Sequence, residues 1–392
     1  SINFDGERAG PVREMVLACA AEWIREFHLD GLRLDALHSI FDASGRHIVA
    51  ELTAAVRAAA GSRSVVVIAE DETQSASRLL PEDQGGLGLD AMWNDDFHHT
   101  ALVAATGRRH AYYQDYLGSP QEFVSTARRG FLYQGQFYPW QEKQRGEPLE
   151  VSAARCVACL ENHDQVANSL RGQRFHQLAA PALGRALTTV LLLGPQVPLL
   201  FMGAEFNSTA PFLYFADHQE PLRGLVREGR REFLAQFPGV ASADGRTALT
   251  DPADEQAFLR SKLDWSQCVA SNPALRLHRA LLALRRGDPV LRQRAGARFD
   301  GAVLPGNAFA LRWFDAAHAD RLLLVNLGTE VHGRPMPEPL LAAPRGRHWS
   351  LLFSSEHADF GGSGSVDPQQ GGPWRLPGQC AMLLHAVEAG PA

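Results

Sequence analysis

The chain has 392 residues, 45% of them hydrophobic and 21% charged. That composition suggests two or three domains with a substantial core, and excludes collagen, a coiled coil and a mainly disordered polymer. With 38 basic against 44 acidic side chains the net charge is −6, which argues against a nucleic-acid partner.

Membrane and disulfide classes fall away as well. The richest apolar run, residues 189–202, is interrupted by Pro195 and Pro198 and falls short of the roughly 18 residues a membrane span requires. Five cysteines form no disulfide framework, so a reducing, cytoplasmic compartment is expected. No signal-peptide pattern precedes Ser1-Ile2-Asn3-Phe4.

In chain order, strand-like and helix-like stretches alternate. Val12, Val16, Ala20, Trp23 and Phe27 recur near the 3.6-residue period and predict a helix over 13–29. Gly31 follows, then a short strand, Leu32-Arg33-Leu34-Asp35-Ala36. A second helix is expected over 47–60, closed by Gly61. Val65-Val66-Val67-Ile68-Ala69 is a continuous apolar run ending at Glu70-Asp71, as buried parallel strands read. Further strands are expected over 88–94, 155–160 and 197–203, with helices over 120–127 and 183–193. The aromatic stretch with Phe131, Tyr133, Phe137, Tyr138 and Trp140 reads as a long functional excursion. Helices over 221–237 and 273–286 follow. From about residue 297 the period nears two, which predicts an all-β sandwich with strands near 309–313, 322–327, 348–353 and 381–387.

The strands change from apolar to acidic, amide or imidazole residues at their C-terminal ends. A (β/α)8 TIM barrel places its chemistry there. A doubly wound sheet usually has a glycine-rich first turn, and neither G-x-G-x-x-G nor a P-loop is present. Five of eight strands are legible, strands four to eight. The first three are therefore expected upstream of Ser1, on a segment or fragment that completes the barrel. The expected domains are 1–294, the C-terminal part of the barrel, and 295–392, the β sandwich.

Asp35 and Glu70 end neighbouring strands, and Asp164 ends a later one. Glycoside hydrolysis needs two carboxyl groups flanking the bond. The ~4.8 Å strand spacing fits the ~5–5.5 Å separation of retaining enzymes. Arg33 shares the strand face of Asp35 and can hold it ionised. Asp71 and Glu72 surround Glu70 with negative charge, which suits a general acid. His163 can donate to a sugar hydroxyl, and His38 sits on the exit loop of the first strand. Trp93, Phe97, Tyr138 and Trp140 can stack on sugar or pack in the core. Cys156-x-x-Cys159 lacks the second pair of a zinc site. His98-His99 after Asp95-Asp96 reads as sugar contact or a local network more readily than as a metal site.

Gly31-Leu32-Arg33-Leu34-Asp35-Ala36 with His38, Ala69-Glu70-Asp71 and Glu161-Asn162-His163-Asp164-Gln165 together resemble the strand-four, strand-five and strand-seven segments of the alpha-amylase superfamily of retaining glycoside hydrolases. The resemblance implies Asp35 as nucleophile, Glu70 as proton donor and Asp164 as the third carboxylate, binding sugar hydroxyls and stabilising the oxocarbenium-like state. Substrate contacts are expected from Arg33, His38, Asp71, Trp93, Asn94, Asp95, His98, His99, His163 and Gln165. Within that superfamily, Trp93-Asn94-Asp95-Asp96-Phe97-His98-His99, Phe215-Ala216-Asp217-His218, residues 227–233 and Asp264-Trp265-Ser266 look like the malto-oligosyltrehalose trehalohydrolases. The implied reaction cuts the α-1,4 bond next to a trehalose unit, without cofactor or metal. The implied partner is maltooligosyl trehalose or another α-glucan. A glucan-branching or other transglycosylase of the same superfamily is the alternative.

Overall fold

The computed structural model describes residues 2–149, 151–238, 249–292, 298–332, 335–369 and 373–388. The expected division between 294 and 295 falls on residues 293–297, outside the described residues. The chain forms two compact units, Ser1–Asp95 with Arg129–Ala158, and Asp96–Arg128 with Cys159–Ala392.

In the first unit, helix α1 (Gly10–Arg25) starts three residues before its predicted beginning, because Pro11 occupies its first turn, where the missing N–H costs nothing. It ends early because His28 turns left-handed, at φ 55°. Ala20 and Ile24 pack into one core with Ile48 and Val56 of helix α2 (Ile48–Ala60). Strands β1 (Gly31–Leu34) and β2 (Val66–Ala69) pair in parallel, Gly31 opposite Val66 and Leu34 opposite Ala69. Only glycine fits at position 31, since a Cβ there would lie 2.1 Å from the Val66 carbonyl oxygen. Strand β3 (Ala91–Asn94) pairs with β2. A hairpin of β4 (Gln134–Tyr138) and β5 (Lys143–Gly146) precedes β6 (Cys156–Ala158), which pairs with β3. The order β1-β2-β3-β6 is parallel throughout. One edge of the sheet therefore carries the residues that follow each strand.

The buried side of this sheet is apolar. Val67, Ala69 and Met92 are fully enclosed with Ile24 and Val56, and each large aliphatic side chain so buried contributes about 1.5–3 kcal/mol. Met15 and Trp23 of α1, and Phe27 just after it, are large apolar side chains that are exposed in this unit.

The second unit opens with helix α3 (Asp95–Thr106) and helix α4 (Pro120–Arg129). The short helix α5 (His163–Ala167), the one-turn α6 (Phe175–Leu178) and helix α7 (Pro181–Leu193) follow. The strand expected over 197–203 is only two residues long, β7 (Val197–Pro198), and Gly203 then turns left-handed at φ 87°. Helices α8 (Leu222–Leu234), α9 (Glu255–Ser261), α10 (Pro273–Gly287) and α11 (Pro289–Arg292) lead into the β region.

There β8 (Arg298–Leu304), β9 (Ala308–Phe314), β10 (Arg321–Asn326), β12 (Arg347–Ser354) and β14 (Cys380–Glu388) form an antiparallel sheet in the order β12-β14-β10-β9-β8. A small pair, β11 (Val331–His332) with β13 (Arg375–Leu376), lies beside it. Every residue of β10 is buried, so strict alternation is lost. One face packs around Leu304, Leu322, Trp349 and Met382. On the other, Phe123 of α4 stacks on Phe309 at 5.5 Å, and Arg185 of α7 grips the Glu356 carboxylate at 2.8–3.0 Å. No helix among the described residues is long and apolar enough to cross a membrane.

Candidate active site

The first unit brings Asp35 and Glu70 together. Each is the residue immediately after a strand end, and those ends, Leu34 and Ala69, are direct register partners. The parallel pairing continues into the turn, where the Glu70 N–H donates to the Leu34 carbonyl at 2.9 Å and the Leu37 N–H to the Glu70 carbonyl at 2.8 Å. Arg33, two residues before Asp35, bridges both acids. Its Nη1 donates to Asp35 Oδ1 at 2.9 Å and its Nη2 to Glu70 Oε2 at 2.5 Å. Two carboxylates on one guanidinium cannot be further apart than that group and its two hydrogen bonds span. The guanidinium lies 3.9 Å from the centroid of the Trp93 ring, on β3, a stacking that fixes its plane.

The turn after Asp35 is strained. Ala36 has φ 45°, a left-handed conformation that costs an L-residue about 1–2 kcal/mol. That twist directs the Ala36 N–H onto Glu70 Oε2 at 3.1 Å. The Arg33 guanidinium and the Ala36 N–H thus both engage Oε2.

The environments of the two acids differ. The Asp35 side chain is 76% exposed and that of Glu70 only 23%. Burial pushes the Glu70 carboxyl above the usual range. The Ala36 N–H opposes this, the Asp35 carboxylate adds to it and the Arg33 charge opposes it. A half-buried carboxyl with a raised pKa beside an exposed, ion-paired one is the arrangement of a general acid next to a nucleophile.

Around this pair the remaining residues of the first unit divide. His38 and Glu72 face one another, with Nε2 to Oε2 at 3.7 Å, and His38 Nδ1 accepts from the Glu72 N–H at 3.4 Å. Asp71 is buried; it accepts from the Thr73 hydroxyl at 2.7 Å and pairs with Arg78 at 3.3 Å. Its charge braces the loop behind Glu70. Asn94 is buried and donates to the Gly130 carbonyl. Trp93 is half-buried under Arg33.

In the second unit, Asp164 sits on α5, a one-turn helix fixed by a capping box. The Asn162 carboxamide accepts from the Asp164 N–H at 2.9 Å, and the Gln165 side chain accepts from the Asn162 N–H at 3.2 Å. His163 Nε2 lies 3.4 Å from Asp164 Oδ1, and both side chains are about half exposed. Glu161, by contrast, is buried on Arg174 at 3.3 Å and on the Phe175 N–H at 2.5 Å. Burial raises its pKa against those two partners. Only the second half of the Glu161–Gln165 motif therefore faces outward. A cavity of about 400 Å³ beside this turn is lined by Gln165, Asn168, Tyr112, Tyr113 and His98.

Asp95, Asp96, His98 and His99 lie on α3, a helix the sequence pattern does not predict. Asp95 is half-buried. His98 donates Nδ1–H to the Leu160 carbonyl at 2.6 Å, and its Nε2 meets the Tyr113 hydroxyl at 3.1 Å. Burial pushes its pKa down to about 4, against the Leu160 carbonyl. His99 is buried among Tyr112, Tyr113 and Tyr116, and Asp96 accepts from the Tyr116 hydroxyl at 2.6 Å. These side chains make a buried polar and aromatic network. Among the described residues no three His, Cys, Asp or Glu side chains gather as a metal site.

The buried histidines set an acid limit on stability. His176, like His98, is pushed down to about 4, by burial and then by Arg174. Their folded-state values lie below the unfolded ~6.5, so the unfolded chain binds protons more readily. Stability is complete above pH ~6.5 and falls as pH drops from there towards 4, by up to about 1.4 kcal/mol per unit for each histidine. Calorimetric melting temperatures between pH 7 and 4.5 are expected to fall steeply in the parent chain and less steeply when both histidines are replaced by Gln; equal slopes would refute the assignment.

One residue of this region escaped the sequence pattern. Arg230 of α8 donates to Asn168 Oδ1 at 2.7 Å and to the Ala167 carbonyl at 3.0 Å. In sequence it is one arginine among several on an amphipathic helix, and nothing there separates it from Arg227 or Arg231.

A family model described as a domain of unknown function, DUF3459, matches residues 296–379. A malto-oligosyltrehalose trehalohydrolase of Deinococcus radiodurans is 38% identical over 357 residues, 88% of this chain and 57% of the relative. Another, from Rhizobium sp. (strain M-11), is 38% identical over 303 residues, 74% of this chain and 49% of the relative. A solved structure from Salmonella typhimurium, assigned as an alpha amylase, superposes with a TM-score of 0.78 at 30% identity, covering 96% of this chain and 61% of that one. The chain spans about half the length of the curated relatives it matches. Its architecture is that of the amylase-type (β/α)8 barrel with a C-terminal β domain.

Proposed function

We propose that this chain, a relative of the malto-oligosyltrehalose trehalohydrolases with an amylase-type fold, carries the reacting residues of a retaining glycoside hydrolase that releases trehalose from malto-oligosyltrehalose. The observation that supports this best is the single Arg33 guanidinium holding Asp35 and Glu70 at two register-paired strand ends, with burial raising Glu70.

In this reading Asp35 attacks the anomeric carbon of the glucosyl residue next to the trehalose unit. Glu70 gives its proton to the departing oxygen, so trehalose leaves neutral and a glycosyl ester forms on Asp35. Glu70, now ionised, takes a proton from water, which attacks the same carbon and returns Asp35 to its carboxylate form. Two inversions retain the configuration. Arg33 keeps Asp35 ionised and orients both acids. The resemblance of its segment gives Asp164 the role of binding sugar hydroxyls, with His163 beside it. Substrate contacts are proposed for His38, Trp93, Asp95 and Gln165, and support behind them for Asp71, Asn94, His98 and His99.

The proposed working division keeps residues 1–294 as barrel and 295–392 as β domain, which the match over 296–379 supports. A further segment supplying three strands is proposed to complete the barrel. Met15 and Trp23 of α1 and Phe27 just beyond it, large apolar side chains exposed in the first unit, support this. A cytoplasmic location is proposed with it.

Incubating the polypeptide that carries this chain with a malto-oligosyltrehalose tests the reading. Free trehalose and the shortened maltooligosaccharide are expected in equal amounts. Longer or branched glucans appearing without free trehalose would assign the transglycosylase alternative instead.

A further inference from the structure

Asp164 stands on a helix of only five residues, too short to hold its own geometry. Its backbone is tied on both sides. The Asn162 carboxamide accepts from its N–H at 2.9 Å, and its carbonyl accepts from the Asn168 N–H at 2.7 Å. The second tie is anchored from outside. Arg230 donates Nη1 to Asn168 Oδ1 at 2.7 Å and Nη2 to the Ala167 carbonyl at 3.0 Å.

Arg230 is itself immobilised. Its guanidinium lies 4.5 Å from the Tyr214 ring centroid and 5.8 Å from that of Phe233. Burial lowers its pKa, and the charges that oppose this are Tyr214, Asp164 and Tyr112. The Asp164 carboxylate therefore lies within the field of this guanidinium.

From this geometry we infer that Arg230 is a positioning residue for Asp164, reaching from α8 to lock the turn on which that carboxylate stands. A two-point grip by a planar fork on the last carbonyl of α5 and on the Asn168 side chain just after it removes the turn's freedom to rotate. The guanidinium's charge also compensates the carboxylate during turnover. The excursion between β7 and α10 thereby becomes part of the catalytic apparatus through one side chain. The inference rests on the proposed role of Asp164 in the reaction.

Kinetics on an activated α-maltosyl fluoride, in the polypeptide that carries this chain, test it. Arg230→Met is expected to lower kcat about 10–100-fold with KM changed by less than about threefold, since a misplaced group loses transition-state rather than ground-state binding. Arg230→Lys, which keeps the charge and one donor, should recover most of the loss. In an Asp164→Asn background Arg230→Met should cost no more than about twofold, because two residues acting through one group are not additive. Asn168→Ala, a milder cut of the same tie, should lower kcat about 5–10-fold and serves if Arg230→Met does not fold. The inference fails if Arg230→Met costs the same factor in both backgrounds, or if it and Asn168→Ala leave kcat unchanged while Asp164→Asn is severe. A kcat untouched by Asp164→Asn would overturn the reading of the reaction itself, and this inference with it.

Discussion

Replacing Asp35 by Ala is expected to remove turnover by a factor of at least about 10⁴, with no comparable loss of stability. The side chain is 76% exposed and pairs with Arg33 at 2.9 Å, and an exposed ion pair contributes only about 0–1 kcal/mol to the fold. The chemistry gives up its nucleophile. Without a carboxylate on that face no glycosyl ester forms, and water must attack unaided. Arg33 keeps its second hydrogen bond, to Glu70, so the acid stays in place and weak sugar binding survives. Steady-state rates with a malto-oligosyltrehalose, beside a melting curve, check this. Turnover within tenfold of the parent in a folded Asp35→Ala protein would remove Asp35 from the mechanism.

Glu70→Gln is expected to divide substrates by leaving group. The carboxamide is close in shape and can still accept from Arg33 and Ala36, so the turn should hold. What it cannot do is deliver a proton. Cleavage of the natural glucan, whose departing oxygen needs that proton, should fall about 10³-fold, within the usual range for general acid catalysis. Formation of the ester from an α-glycosyl fluoride needs little assistance and should fall far less. The pH profile gives a second reading. Burial raises the Glu70 carboxyl, and only its protonated form is an acid. In the parent, kcat/KM should therefore decline as pH rises through that raised value, and the decline should vanish in Glu70→Gln. Equal losses on both substrates would contradict the assignment.

The two acids were legible from sequence because strands β1 and β2 are short apolar runs that stop abruptly at Asp35 and at Glu70. In a parallel sheet such stops share an edge. The bridging role of Arg33 was only half visible: spacing along the strand ties it to Asp35, while its bond to Glu70 depends on the register of the neighbouring strand. Helix α3 was missed for a physical reason. It is buried on nearly every side, so it has no polar face to mark a period. Its His98 and His99 read from sequence as sugar contacts or a local network; in the fold they and Asp96 meet tyrosines at 112, 113 and 116 from a later loop.

The hairpin β4–β5 was read as an irregular excursion. It is built around a fully buried Arg145, 4.8 Å from the Tyr138 ring centroid, and stacking of this kind leaves no alternating pattern. The β region showed its strands but not their full burial, which comes from α4 and α7 packing on the far face. Arg230 was hidden because its meaning lies in Ala167 and Asn168, far from it in sequence.

In the proposed reaction Asp35 forms a covalent bond to sugar. A 5-fluoro-α-glucosyl fluoride slows the second step and lets the ester accumulate, and digestion followed by mass spectrometry locates the label. One glucosyl adduct is expected, on the peptide containing Asp35 and absent after Asp35→Ala. An adduct on another carboxylate, with Asp35 unmodified in an active protein, would contradict it.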